Sequence, residues 1–361
     1  MAYSDIKDPS AHFQATVYTG NNTAGNVITN TGNSDLKPDL IFSSYRTSPP
    51  YTNHRCIIDS TRGRRAILES DTTAAEVLSA DNANVDLQSI NTDGFTVGQV
   101  NSTASLNAGN TSTVAWQWKA NGGTTATNND GSITTTTQVN SDAGFSIVTW
   151  AGGGTGSLGH GLGVVPDMWI VKNRDYAVSW AVGFSDSSIL GGTSNYLSLN
   201  TTSATLTYNN LWGSSPVNSS TITMAGDRSV NISGNDYVAY FFKAKQGYSK
   251  FGNYEGNGNA NGSFIYTGFK PAFVMLKPSS AADNWIIVDN KRDPNNPAEQ
   301  RLFPDISAAE GTGYEVCDML SNGFKMRATS TSWNGSGRTY IYMAFAEQPF
   351  VTSTGIPATA R

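Results

Sequence analysis

The sequence predicts an all-β fold of three tandem antiparallel β-sandwich repeats, jelly-roll or lectin-like, with very little helix. Three observations predict it: strand-like alternation runs through the chain, helix signals are scarce, and one residue pattern occurs three times in the same order. The pattern is Pro, an apolar run, Leu-x-x-(Asp/Asn) with Ala seven after the Leu, then an aromatic strand with Ala in second place. Its first copy reads Pro38-Asp39-Leu40-Ile41-Phe42, Leu68 to Asp71, Ala75, and Val114-Ala115-Trp116. The second reads Pro166-Asp167-Met168-Trp169-Ile170, Leu197 to Asn200, Ala204, and Val238-Ala239-Tyr240. The third reads Pro271-Ala272-Phe273-Val274-Met275, Leu302 to Asp305, Ala309, and Met343-Ala344-Phe345. Pro-to-Leu separations are 30, 31 and 31 residues, and Leu-to-strand separations are 46, 41 and 41. Agreement in both order and spacing marks a module used three times.

Taken in order, Phe13-Gln14-Ala15-Thr16-Val17-Tyr18 alternates apolar and polar residues and opens the first repeat as a strand. Leu40 to Phe42, Met168 to Val171 and Phe273 to Leu276 are short, continuous apolar runs behind a proline, which suits strands buried on both faces. Asp93-Gly94-Phe95 and Asn322-Gly323-Phe324 read as a turn followed by a strand, because glycine takes positive φ after Asp or Asn. The second repeat lacks this triplet and has a Ser/Asn loop at Asn218 to Thr221 instead. The closing strands place Val114, Trp116 and Trp118, or Val238, Tyr240 and Phe242, on one side, expected to face the inside of each sandwich. Asp71 and Asp305 each look able to cap a single helical turn that reaches Glu76 and Glu310. Repeat 1 is assigned to residues 1–120, a Thr/Asn/Gly linker to 121–143, repeat 2 to 144–248 and repeat 3 to 249–361. Composition leaves open whether the linker is flexible or a surface strand with threonine ladders.

Only 14% of the 361 residues are charged, and the net charge is −5. An average soluble protein carries roughly 25% charged residues, so solubility here rests on Asn, Thr, Ser and Gly. No basic footprint for nucleic acid is present. Arg62-Gly63-Arg64-Arg65 is the one dense basic spot and reads as a solvated turn. No apolar run suits a membrane span and the first residues show no signal peptide, so synthesis in a host cytoplasm without membrane insertion is expected. Cys56 and Cys317 occupy different places in their repeats and read as buried thiols.

The search for chemistry yields no catalytic, cofactor or metal assignment. His12, His54 and His160 are isolated in sequence, and His160 is expected to top a turn. Asp59, Asp186 and Asp289 recur just after the central apolar strand. Recurrence in all three copies argues for a structural task rather than for the paired carboxylates of glycan cleavage. Calcium is weighed for Asp289-Asn290-Lys291-Arg292-Asp293, and the two basic residues between the acids count against it. Trp212 and Trp333 lie in Gly/Ser/Asn surroundings. They read either as plugs of the sandwich ends or as glycan contacts, where an aromatic face works beside amides and hydroxyls.

The openings His12 to Asn21 and Gly144 to Trp150, the segments Gly247 to Tyr254 and Phe264 to Pro271, and the ending Ala344 to Phe350 resemble a repeat family of marine and environmental tailed-phage virion proteins. What the resemblance implies is a tail-fibre, tail-associated or lectin-like surface protein with no catalytic residues to carry over. The expectation is therefore a non-enzymatic virion protein adhering to host surface polysaccharide. Its expected partners are other virion structural proteins and itself, as a homotrimer. Capsid decoration (a head fibre) and polysaccharide depolymerisation are the alternatives. Copy one departs from the pattern, with His54-Arg55-Cys56 standing where copy three has Trp285.

Overall fold

Proline cannot donate to a sheet ladder and is tolerated at strand starts, and each repeat proline stands just before a central strand. The computed structural model describes residues 4–47, 53–101, 104, 106–208, 211–213 and 217–349. The repeat limits at 1–3 and 350–361, Phe350 of the ending motif included, lie outside the described residues. The central strands are Leu40–Tyr45, Met168–Asn173 and Phe273–Pro278, buried at every position. Each pairs antiparallel with a closing strand, Ser112–Trp118, Asp236–Phe242 or Thr339–Phe345. The closing strand also takes an opening strand on its other side, Phe13–Thr19, Phe145–Ala151 or Ser249–Glu255. Beyond the central strand comes a fourth, Cys56–Asp59, Ala181–Phe184 or Ile286–Asp289. Register repeats as well, but it corrects the third copy of the closing motif by two residues. Phe42 lies opposite Trp116, Ile170 opposite Tyr240 and Met275 opposite Met343, so Met343 rather than Phe345 is the counterpart of Trp116 and Tyr240.

A smaller sheet backs each large one. It comprises Asn26–Ile28, Phe95–Val97 and Leu87–Ile90 in the first repeat, Gly156–Gly159 and Thr221–Met224 in the second, and Phe264–Tyr266, Gly323–Met326 and Cys317–Leu320 in the third. Gly94 makes the turn into Phe95 at φ +83°, and a Cβ there would meet the Ile28 carbonyl oxygen at 2.0 Å.

The closing strands have two dry faces with different destinations. Tyr237, Ala239 and Phe241 pack against the small sheet of their own repeat, as do Ala115 and Tyr340, Tyr342 and Ala344 in theirs. Val114, Trp116, Trp118, Val238, Tyr240, Phe242, Ile341, Met343 and Phe345 instead join one core common to all three repeats. The Phe345 ring stacks on Phe13 at 5.5 Å and meets Phe242 edge-on at 6.0 Å, so one side chain touches all three. The aromatic row expected inside each sandwich is therefore the seam between repeats. Three sheet pairs surround a common core, in place of three self-contained units in a row. Each large side chain buried there contributes about 1.5–3 kcal/mol.

Two further expectations are decided. Of the two readings left open for 121–143, the strand with a threonine ladder is the one found. Ala126–Asn128 and Thr135–Asn140 extend the second repeat's sheet, with Thr127 opposite Thr136 and Thr136 opposite Thr149. Its buried Gln138 donates to the hydroxyls of Ser60 and Thr61 in the first repeat. The segments after Asp71 and Asp305 are not helical. Asp71 accepts the Arg55 backbone N–H instead, because a buried N–H at the start of the fourth strand needs a partner more than an exposed turn needs a cap. Among the described residues the one α-helix is Ser187–Leu190, capped by Asp186 and closed by Gly191 at φ +78°. No helix of the described residues is long and apolar enough to cross a membrane.

Candidate functional site

The conserved spacing of the repeats is spent on joining them. The residue eight after each repeat Leu donates its backbone N–H to the residue eight after the next repeat's Pro. Glu76 donates to the Arg174 carbonyl (2.7 Å), Thr205 to Ser279 (2.8 Å) and Glu310 to Arg46 (2.7 Å). The first repeat thus docks on the second, the second on the third, and the third on the first, which closes a ring. A second triplet follows the same cycle. Trp180 Nε1 donates to the Glu69 carbonyl (2.8 Å), Trp285 Nε1 to Ser198 (3.0 Å), and Arg55 Nε to Phe303 (2.9 Å). Arg55 therefore does with a guanidinium what its counterparts do with an indole. Burial lowers its pKa to about 10.

Charge separates the three joints. In one, Asp59 binds Arg62 Nε at 2.5 Å and accepts from the Tyr240 hydroxyl at 2.8 Å, while Arg62 and Arg174 both reach Glu76. In another, Asp289 binds Arg292 at 2.5 Å and accepts Trp116 Nε1 at 2.9 Å, while Arg292 and Arg46 both reach Glu310. Burial opposes charge on Arg62 and Arg292, but the neighbouring acids outweigh it and hold both guanidiniums protonated. Arg62 is thus a buried joint residue, and the solvated-turn reading of the basic cluster is corrected there; Arg64 and Arg65 donate to the Leu87 and Ser79 carbonyls. In the third joint the register position of Asp59 and Asp289 is taken by Phe184, opposite Met168. Asp186, expected to be the third equivalent, lies two residues on and caps the short helix. Met343, the counterpart of Trp116 and Tyr240, joins Phe184 in the common core.

Two lysines at matching places also cross the joints. Lys172 Nζ donates to the Thr73 and Val178 carbonyls at 2.9 and 2.6 Å, and Lys277 Nζ to those of Thr202 and Pro278 at 3.1 and 3.0 Å. Burial lowers each pKa to about 8. Asp305, also buried, is pushed up to about 7.

The most site-like surface lies at the rim of the third repeat. A cleft of about 540 Å³ is lined by Asp283, Asn284, Arg301, Tyr314, Trp333 and the stretch Thr329 to Ser332, among others. Trp333 is buried at its base, beside Asn334, which holds the loop through the Asn259 and Ala328 carbonyls at 2.8 Å each. Asn107 and Asn231 occupy the same place in the other repeats, each nine residues before Trp116 or Tyr240, and bracket their loops likewise. The residues matching Trp333 are Leu106 and Val230, both buried. The site is therefore a plug position that only the third repeat fills with an indole.

The Arg301 guanidinium sits 4.6 Å from the Tyr314 ring centre, 5.6 Å from that of Trp333 and 6.0 Å from that of Phe303. Tyr314 is 59% exposed. Arg301 Nη1 and Trp333 Nε1 have no hydrogen-bond partner. Asp283 accepts from the Asn284 N–H and the Ser332 hydroxyl, both at 2.9 Å. Sequence reading singled out Trp333 but missed Arg301 and Tyr314, which stand 32 and 19 residues before it; the chain gives no local sign that they converge.

Trp212, the other flagged indole, is buried, packs edge-on against Trp169 at 5.3 Å and borders a separate cleft with Asp186 and Thr193. His160 does not top a turn: it is buried, with Nε2 3.0 Å from the Asn218 carbonyl and Nδ1 accepting from Leu162 N–H, which fixes the neutral ring. Cys56 and Cys317 are buried, as their reading as core thiols expects. The oxygens of Asp289 and Asp293 are engaged by arginine, indole and backbone donors, which leaves the acidic loop poorly arranged for calcium. One group among the described residues could hold a metal. His54, Glu69 and Asp71 bring three ligand atoms within 4.8 Å, with His54 Nδ1 already 2.9 Å from Asp71 Oδ2.

A family described as a domain of unknown function (DUF7483) matches residues 8–349. The chain belongs to that family. The match runs through all three repeats as one unit, in keeping with their common core. No curated protein and no solved structure matches the chain.

Proposed function

We propose that this protein is a non-enzymatic surface structural protein of a tailed-phage virion, tail-associated, that adheres to host surface glycans. Its repeats are read as lectin-like sandwiches, with other virion proteins and further copies of itself, as a homotrimer, for partners. The observation that carries the reading is the Trp333 cleft, an open recess of sugar size with indole, phenol, guanidinium and hydroxyl groups around it. Shallow sugar sites combine aromatic area with a few placed polar groups in this way. The closed ring supports it as well. Most of the buried charge is used to lock repeats together, leaving rim loops rich in Ser, Thr and Asn to meet a ligand. Weak single sites suit such a role, since avidity across linked copies can exceed single-site affinity by roughly 10²–10⁴.

Gold label or density on intact particles tests the location, and label on the head would replace the tail reading with capsid decoration. That second reading is favoured by one observation: among the described residues no helix exceeds four residues, so none supplies a coiled-coil shaft. Reducing ends released from host capsule by the purified protein would overturn the non-enzymatic reading in favour of a depolymerase.

A further inference from the structure

From the arrangement around Arg301 we infer that the cleft takes an acidic sugar, a uronic-acid residue whose carboxylate meets the Arg301 guanidinium while its ring lies against Tyr314 or Trp333. The inference rests on the glycan-adhesion reading and names the ligand class. At the joints Arg46, Arg62, Arg174 and Arg292 have carboxylate partners and Arg55 has carbonyl partners, whereas among the ion pairs of the described residues Arg301 has none. It is held instead in an aromatic cage of Tyr314, Trp333 and Phe303. Gly311 opposite makes room for it, since a Cβ there would lie 3.0 Å from the guanidinium carbon.

The cage buries Nη1, which has no hydrogen-bond partner, while the Arg301 side chain still lines the open cleft. Guanidinium matches a planar carboxylate through two parallel hydrogen bonds, a geometry that a neutral hydroxyl does not reproduce. Asp283 is the acid in the same cleft. Its oxygens already accept from Asn284 N–H and the Ser332 hydroxyl, and it retains lone pairs for a sugar hydroxyl. Neither of the other repeats offers this set. Arg301 corresponds to Tyr196 in the second and Ile67 in the first, each standing one residue before its repeat Leu. The site is therefore single in each chain.

The test is an array of uronic-acid and neutral oligosaccharides with carboxyl-reduced forms of the acidic ones, followed by titration of the binders. Acidic oligosaccharides are expected to bind, with carboxyl reduction weakening them about tenfold to a hundredfold, the range of a charge-assisted hydrogen bond. Arg301→Gln is expected to erase the difference between acidic and reduced forms. Tyr314→Ala, at an exposed position that folding does not need, is expected to weaken both forms alike. Equal binding of acidic and reduced forms would overturn the acidic inference and leave glycan adhesion standing. Binding that persists in Arg301→Gln with full acid preference would overturn the site. Binding of no sugar at all would overturn both readings.

Discussion

Two of the three joints in this ring are built on buried charge, and the third does the same work without it. Where the first repeat meets its neighbours, Asp59–Arg62–Glu76–Arg174 and Asp289–Arg292–Glu310–Arg46 form four-membered networks that also capture Tyr240 or Trp116. Where the second repeat docks on the third, Phe184, Met343, Thr205 and Ser279 hold the matching places, and the charged network is absent while the backbone bond from Thr205 to Ser279 and the Trp285 and Lys277 bonds remain. The substitutions are concerted. Losing the acid goes with losing the arginine, the indole or phenol donor, and the second ion pair. A buried network is tolerable complete or absent, because a single missing member leaves a desolvated charge unpaired.

The largest test of that comparison removes one member. Arg292→Met leaves Asp289 and Glu310 buried with their main partner gone, and is expected to lower unfolding free energy by about 3–5 kcal/mol in denaturant titration. Adding Asp289→Phe and Trp116→Met, which copies the apolar part of the neutral joint and leaves the Arg46–Glu310 pair in place, is expected to restore at least half of the loss. Failure to recover would mean the two kinds of joint are not interchangeable.

The second test concerns the donor shared by all three joints. Arg55→Ala removes the bonds to Phe303 and Ala308 together, and is expected to cost about 2–4 kcal/mol. Arg55→Trp supplies the residue found at the other two joints, and is expected to recover more than half of that in thermal or chemical unfolding.

Next comes Asp305, whose counterpart in the second repeat is the neutral Asn200. Its folded pKa of about 7 lies above the ordinary 3.8, so the folded chain holds this proton longer than the unfolded one. Its contribution is complete below about pH 3.8 and is lost as pH rises to about 7. Asp305→Asn should remove that component of the pH dependence and gain about 1–2 kcal/mol at pH 8. A variant that keeps the parental pH profile between 4 and 7 would refute this assignment.

The smallest effect is at Lys172 and Lys277. With folded pKa values of about 8 against 10.5 unfolded, the unfolded chain binds more protons in that window, so stability rises with pH from about 8 to 10.5. Replacing both with Met should flatten this rise. The shift at pH 7 is expected to stay within about 1 kcal/mol, since lost carbonyl partners offset relieved desolvation.

Strand identities were legible because alternation and proline placement report local geometry. That His54-Arg55-Cys56 stands in the place of Trp285 was legible too, and strand pairing then singles out Arg55, the residue just before the fourth strand. The equivalence of Asp186 with Asp59 and Asp289, read from the sequence, does not hold, since a two-residue slip is invisible until strand pairing sets Phe184 opposite Met168. Arg62 misled for a related reason. A basic cluster looks solvated unless its acids, Glu76 above all, are brought back from 14 residues away. Of the cleft, only Trp333 showed itself. Arg301 and Tyr314 lie on one irregular stretch that the bridge between Arg301 and Gly311 folds back on itself.

The sequence by itself determined a thrice-used β module, strands dry on both faces, and a chain that spends little charge. Only the tertiary structure decided which dry face belongs to the module and which to the ring. Side-chain alternation reports that a face is buried, whatever buries it: a neighbour's aromatic row excludes water as well as the module's own second sheet does.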